Sequence, residues 1–409
     1  MRPWISSLAV AASLALAVPS LAAPPPVPVA AAPDAALAAR LDKVIDTAVA
    51  EKRLVGTVVL VARDGKVVYH RAAGLADREA GRPMRENAVF RYSSVTKPFV
   101  SAAVMKLVED GKLNLDDPVT KWLPDFRPKL ADGTQPVITL RQLLNHTSGL
   151  TYGLAEKPSH PYHQLGVSDG IDNSGITLDE NLRRLGQAPL AFPPGSAWRY
   201  SLAIDVLGSV LEKATGKPLP QVVAETVTDP LGLKDTGFVA RDPARLTAAY
   251  YNAQPAPKRM TDNLDVPIGP TAIRFAPSRA TDATAFPSGG AGMVGTAGDV
   301  LTLLETVRNG GAPILKASTV ARMTKDQVGV QAATQGPGWG FGYGWAVLDD
   351  PAVGKTPQGV GTIAWGGVYG HNWFVDPKAR LTVVIMTNTA FEGMNGPFTK
   401  EVRDAVYGR

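Results

Sequence analysis

Phe90-Arg91-Tyr92-Ser93-Ser94-Val95-Thr96-Lys97-Pro98 contains the pattern Ser-x-x-Lys, and Phe99, Val100, Val104 and Leu107 carry an apolar helical face onward from it. Residues three apart on a helix are neighbours, so the Lys97 amine can reach the Ser94 hydroxyl. A serine oxygen needs a base beside it to become a nucleophile, and an amine of lowered pKa can be that base. Pro98 sharpens the placement. It has no N–H to give to the carbonyl four residues back, which is Ser94's own, so Ser94 belongs at or near the helix start. There its N–H is free and the positive end of the helix dipole favours an oxyanion. Ser-x-x-Lys alone is common by chance, usually on a solvated helix face, so the reading depends on partners.

Partners follow in order. Pro193-Pro194-Gly195-Ser196-Ala197-Trp198-Arg199-Tyr200-Ser201 leads into a helix expected over Leu202–Ala214, with Tyr200 at its entry. A phenol there can relay a proton between nucleophile and leaving group when cations depress its pKa. Ile363-Ala364-Trp365-Gly366-Gly367-Val368 reads as a strand end whose glycines let a substrate approach the backbone. A free N–H just beyond could complete an oxyanion hole.

Ser94-Val95-Thr96-Lys97, Tyr200-Ser201 and Trp365-Gly366-Gly367 resemble the three motifs of the serine β-lactamase and penicillin-binding-protein superfamily. The match is nearest to the family VIII carboxylesterases, which resemble class C β-lactamases. Leu143-Leu144-Asn145-His146-Thr147-Ser148-Gly149-Leu150 and Gly289-Gly290-Ala291-Gly292-Met293-Val294-Gly295-Thr296-Ala297-Gly298-Asp299 look like structural signatures of the same superfamily, and the similarity runs from about Leu37 to the C-terminus. The resemblance implies an acyl-enzyme on Ser94, with Lys97 as general base and Tyr200 assisting proton transfer. It also implies an oxyanion hole made by the N–H groups of Ser94 and Val368, substrate contacts at Trp365, Gly366 and Gly367, and no cofactor or metal.

Two departures point to the subclass. Leu202 stands where the superfamily usually has an Asn, and cannot hydrogen-bond a substrate amide. Trp365 stands where a Lys usually faces the carboxylate of penicillins or of a peptide C-terminus, and carries no ammonium. Losing the partner of a desolvated carboxylate is costly. The expected activity is therefore hydrolysis of short-chain, neutral esters. A β-lactamase, a D-Ala-type peptidase and an acyltransferase using the same residues are the alternatives, with a non-catalytic penicillin-recognising module behind them. His371, six residues after Trp365, could supply a cation only if protonated.

The rest of the chain fits an exported enzyme. Met1–Ala23 reads as a secretory signal peptide: Arg2, an apolar run over Ile5–Val18, and Ser20-Leu21-Ala22 as the cleavage site, giving a leader of residues 1–22. Residues 23–36 read as a Pro/Ala-rich linker and 37–409 as the catalytic domain. Periodicity predicts a helix from Leu37 with Asp34 as N-cap, strands over Val55–Arg63 and Lys66–Ala73 joined at Asp64-Gly65, helices through the middle, and strands over Trp339–Val347, Gly361–Trp365, Asn372–Val375 and Leu381–Asn388 before a last helix at Pro397–Val406. The predicted fold class is α+β, an antiparallel sheet closed by both termini (about 37–75 and 335–409) beside a helical region (about 98–310).

The absence of cysteine removes disulfides, thiolate metal sites and a Cys nucleophile, and the five histidines form no HExxH pair. The net charge of +5 is dispersed, which argues against nucleic acid as a partner, and no second apolar run could insert stably in a membrane. The partner expected is a small-molecule ester; the oligomeric state stays open. Gly166-Val167-Ser168-Asp169-Gly170 matches a nucleophile elbow but sits among Pro158, Pro161 and Gly175, so a loop is the better reading. Gly336–Gly344 reads as one strand placing Trp339, Phe341, Tyr343 and Trp345 on a single face, more an aromatic core than an acyl pocket. Tyr92 reads as packing, and Asp116-Asp117 as a solvated turn.

Overall fold

Asp64 and Gly65 both take positive φ (54° and 78°), the backbone that a two-residue hairpin turn requires. Gly56–Arg63 (β1) therefore folds directly back on Lys66–Asp77 (β2). In this computed structural model the described residues are Met1, 29–30, 34–269 and 271–409. Apart from Met1, the predicted signal peptide lies outside them. Five more strands follow late in the chain: β3 (Trp339–Phe341), β4 (Ala346–Leu348), β5 (Ile363–Gly367), β6 (His371–Asp376) and β7 (Leu381–Thr387). The sheet order is β3-β4-β5-β6-β7-β1-β2, so the last strand pairs with the first, antiparallel, and the two ends of the chain close one sheet as expected.

Side chains alternate across this sheet with period two. Val59 and Val61 of β1, with Val383 and Ile385 of β7, face a layer made by α1 (Ala35–Ala50) and the Pro397–Val406 helix. Leu37, Leu41 and Ile45 of α1 are fully buried there, each contributing roughly 1.5–3 kcal/mol of apolar burial. Val58 and Leu60 of β1, with Val384 and Met386 of β7, face the opposite core, which holds α2 (Thr96–Glu109), α3 (Ala203–Thr215) and α4 (Ala297–Arg308). This second core places α2, and so the Ser-x-x-Lys stretch, against the sheet. Among the described residues no helix is long and apolar enough to cross a membrane.

Several expectations need correcting. Residues 23–36 are not all linker. Val29–Ala30 pairs with Lys66-Val67 in parallel, and α1 begins at Ala35 with the Asp34 carboxylate accepting from Leu37 N–H at 3.0 Å. The Trp339–Val347 strand is two strands. Gly344 at φ 107° and the Gly342 N–H to Trp345 C=O bond turn the chain between β3 and β4, so the four aromatics do not share a face. The middle is not purely helical either. Leu264–Ile268 and Thr271–Phe275 form a hairpin, and Phe90–Arg91 pairs with Val294–Gly295. Pro267 inside the first hairpin strand hides it from a sequence reading.

Candidate active site

Ser93–Val95 makes one tight 3-10 turn and α2 begins at Thr96. Ser94 thus stands at the helix entry, as the missing Pro98 N–H demands. Ser93 is held at φ 44°, a left-handed conformation costly for a residue with a side chain. It is buried, and its hydroxyl accepts from Tyr369 N–H at 3.4 Å.

Lys97 is fully buried one helical turn further on. Its Nζ donates to Ser94 Oγ at 3.4 Å, to Tyr152 Oη at 2.9 Å and to the Gly290 carbonyl at 2.8 Å. Burial pushes its pKa down to about 7, against the pull of Asp205 and Asp169. A large share of this amine is therefore neutral near pH 7 and able to accept a proton. Tyr200 lies across from it, with Nζ 4.5 Å from the ring centre.

The Tyr200 expectation changes in one respect. Its pKa is raised, not depressed, because burial outweighs its interactions with Ser94 and Trp365. A phenol of this kind stays protonated and can give a proton while receiving one, but it is no phenolate base. Trp365 fixes it: the indole N–H donates to Tyr200 Oη at 3.3 Å, and the rings lie 5.0 Å apart.

These groups open onto a cavity of about 330 Å³. Ser94, Tyr152, Tyr200, Trp365, Gly366 and Val368 line it on the reactive side. Leu154, Ile171, Ile268, Ile273 and Met394 form an apolar wall. Val368 follows the last strand pair, Gly367↔His371, at the rim where a backbone N–H can face a reacting oxygen. No lysine or arginine lines this cavity. Among the described residues no cluster of three or more His, Asp or Glu is arranged to hold a metal ion.

The family model described as Beta-lactamase matches residues 41–407. The chain belongs to the beta-lactamase family. It is 57% identical over 379 residues to Esterase EstB of Burkholderia gladioli, covering 92% of this chain and 96% of that one. Its fold matches the solved structure of EstCE1, a hydrolase with promiscuous acyltransferase activity, at a TM-score of 0.90 and 53% identity over 92% of this chain and 99% of that one. Simvastatin synthase (LovD) from Aspergillus terreus shares the fold at a TM-score of 0.71 and 22% identity, over 92% and 99% of the two chains.

Within this beta-lactamase fold, some sequence-based roles move. Leu202 does not face substrate; it is fully buried and starts α3, so its apolar side chain serves the core. Gly367 does not line the cavity. A Cβ there would lie 2.4 Å from the Tyr92 carbonyl and 2.6 Å from Ser93 Oγ, so the glycine lets β5 press against the turn that carries Ser94. We expect Gly367→Ala to lower kcat/KM by about 10²-fold through misplacement of Ser94, with a melting temperature only modestly reduced; unchanged kinetics would exclude this contact as the reason for the glycine. His371 supplies no cation, since burial lowers its pKa to about 4 and Nε2 is engaged with the Arg91 carbonyl at 2.7 Å.

Other readings hold. Ser168 is buried, donates to Asp172 and has its N–H bonded to Asn181 at 2.8 Å, with no histidine in its bonding set. Tyr92 donates to the Thr296 carbonyl at 2.8 Å and stacks on Phe99. Asp116 pairs with Arg141 and Asp117 with Lys121 in an exposed turn.

Tyr152, Gly290, Asp169 and Asp205 escaped the sequence reading. Tyr152 holds the Lys97 amine and lies two residues past the Leu143–Leu150 stretch; Gly290 lies inside the second such stretch. Asp169, its pKa raised to about 7 by burial, accepts from the N–H groups of Gly153 and Leu154 at 2.8 and 2.7 Å and so braces the loop carrying Tyr152. The one available signal for Asp205 was an acid set among Leu202, Ala203, Ile204, Val206 and Leu207.

Proposed function

We propose that the protein hydrolyses carboxylic esters through an acyl-enzyme on Ser94. The observation that carries this reading is the buried Lys97 amine, 3.4 Å from Ser94 Oγ and lowered to a pKa of about 7. Neutral Lys97 takes the Ser94 proton as the oxygen bonds to the ester carbonyl carbon. The N–H groups of Ser94 and Val368 receive the developing oxyanion. Tyr200, a neutral phenol, gives its proton to the departing alkoxide and is reprotonated from the Lys97 side. Water then attacks the acyl carbon, and the proton that the water gives up passes to Ser94 Oγ as the acyl–oxygen bond breaks, releasing the acid.

The substrate is an ester with no charge next to the reacting carbonyl. Ile171, Ile268, Ile273 and Val368 line the cavity together with Ser94, while Lys97, which reaches Ser94 Oγ from behind, is not among the lining residues, nor is any arginine. The kinship with Esterase EstB and EstCE1 supports ester hydrolysis over lactam cleavage. The test compares p-nitrophenyl butyrate with nitrocefin on purified protein. We expect kcat/KM for the ester to exceed that for the lactam by about 10²-fold or more, the discrimination available when a polar partner is missing. Equal or faster nitrocefin turnover would return the protein to the lactam-cleaving branch of the family.

A further inference from the structure

A second cavity, of about 570 Å³, lies beside the catalytic one and shares Gln335, Asn372, Met394 and Asn395 with it. The shared walls make the two spaces immediate neighbours. Their electrostatics differ sharply. The catalytic cavity contains one titratable acid, Asp169, and no lysine or arginine. Lys355, Lys400 and Arg403 line the second, and no Asp or Glu does. Among the described residues, only Arg403 of these three is ion-paired, with Asp404 at 2.7 Å. Trp339 and Phe374, both nearly buried, form its apolar floor.

We propose that the preferred substrates are two-ended: an uncharged ester at Ser94 joined through an apolar segment to an anionic oxygen acid seated between Lys355, Lys400 and Arg403. This rests on the esterase reading and names the substrate class for it. A charge beside the ester finds no basic side chain lining that cavity, where Lys97 is spent as the base of Ser94; the same charge placed further along finds three. Attraction by a half-solvated cationic rim acts within a Debye length of about 10 Å at ordinary salt and weakens as salt rises. It strengthens substrate capture and leaves the chemical step alone, so its mark falls on KM.

The experiment has two parts. First, 4-nitrophenyl hemisuberate is compared with 4-nitrophenyl octanoate, which matches its length without the terminal carboxylate. A phosphate-ended ester of equal length tells a carboxylate preference from a phosphate one, and 4-carboxyphenyl acetate against phenyl acetate reports a charge on the alcohol side. At low salt we expect at least one charged ester to gain about 10-fold in kcat/KM through KM, the gain shrinking in 0.5 M NaCl. The Lys355→Gln, Lys400→Gln, Arg403→Gln triple variant should lose that gain and keep the octanoate kinetics. Second, monomethyl suberate is titrated calorimetrically into Ser94→Ala protein with and without the triple change. Binding that ignores the three cations, or charged and neutral esters handled alike, overturns the proposal. The calorimetric arm does so whether or not the wild type turns over any ester, so failure of the groove and failure of the esterase reading are told apart.

Discussion

Ser94→Ala is expected to lower ester turnover by about 10⁴-fold or more, the scale on which removal of a serine nucleophile acts. The fold should be untouched. Ser94 is only half-buried, and its hydroxyl receives one long bond, 3.4 Å, from Lys97. Lys97 keeps its shorter bonds to Tyr152 and Gly290 when Ser94 is truncated, so no buried donor is stranded. The melting temperature should therefore move by no more than a degree or two, as expected for a change that creates no cavity and no unpaired group. Ser168→Ala is the contrasting variant. It removes the serine of the other nucleophile-like motif, whose hydroxyl is held by Asp172, and should leave turnover within about twofold while costing roughly 1 kcal/mol of stability. The readouts are p-nitrophenyl butyrate kinetics, thermal melts, and the mass of a trapped acyl adduct localised by peptide mapping. A folded Ser94→Ala protein that still turns over ester would end the acyl-enzyme mechanism.

How legible was this site in the sequence? Ser94, Lys97, Tyr200 and Trp365 could be singled out because each sits in a local pattern, a three-residue helical spacing, a helix entry or a strand end with two glycines, and because the three patterns occur in order. The sheet was legible for a similar reason. Asp64-Gly65 fixes the first hairpin, and the near-continuous apolar runs of β1 and β7 mark strands covered on both faces. What stayed hidden is set by contacts between distant segments. Tyr152 reaches Lys97 across 55 positions and Gly290 across 193, and nothing local marks either as a ligand of an amine. Motif position marks Leu202 as unable to hydrogen-bond a substrate amide; only packing shows where it goes, since an apolar residue at the entry to α3 turns into the core. The direction of the Tyr200 shift was misjudged for the same kind of reason. Burial, which only the folded chain reveals, raises the Tyr200 pKa, and the cation expected to depress it is itself desolvated to a pKa of about 7.

Lys97→Met should be nearly as damaging as loss of the nucleophile, lowering kcat by about 10³–10⁴-fold, toward the upper end for removal of a general base. Methionine fills similar volume without an amine. The wild type carries its own diagnostic. Since Lys97 must be neutral to act, kcat/KM for a neutral ester should rise with pH through about 7 and then level off, and the variant's residual rate should lack that limb. Stability provides a second, independent readout. The folded pKa of about 7 lies below the ordinary lysine value of 10.5. Between those two values the unfolded chain holds a proton that the folded chain has released, so this group makes folding more favourable as pH rises across the window. Below about pH 7 both states are protonated, and the folded protein bears the full cost of a buried ammonium with no carboxylate bonded to it. The melting temperature of Lys97→Met minus that of the wild type should therefore be largest near pH 6–7 and shrink steadily toward pH 10. Comparing the two proteins cancels the tyrosines and other groups that titrate over the same range. Were the difference flat with pH, or growing as pH rises, Lys97 would carry an ordinary lysine pKa, and the base that activates Ser94 would have to be sought elsewhere in the cavity.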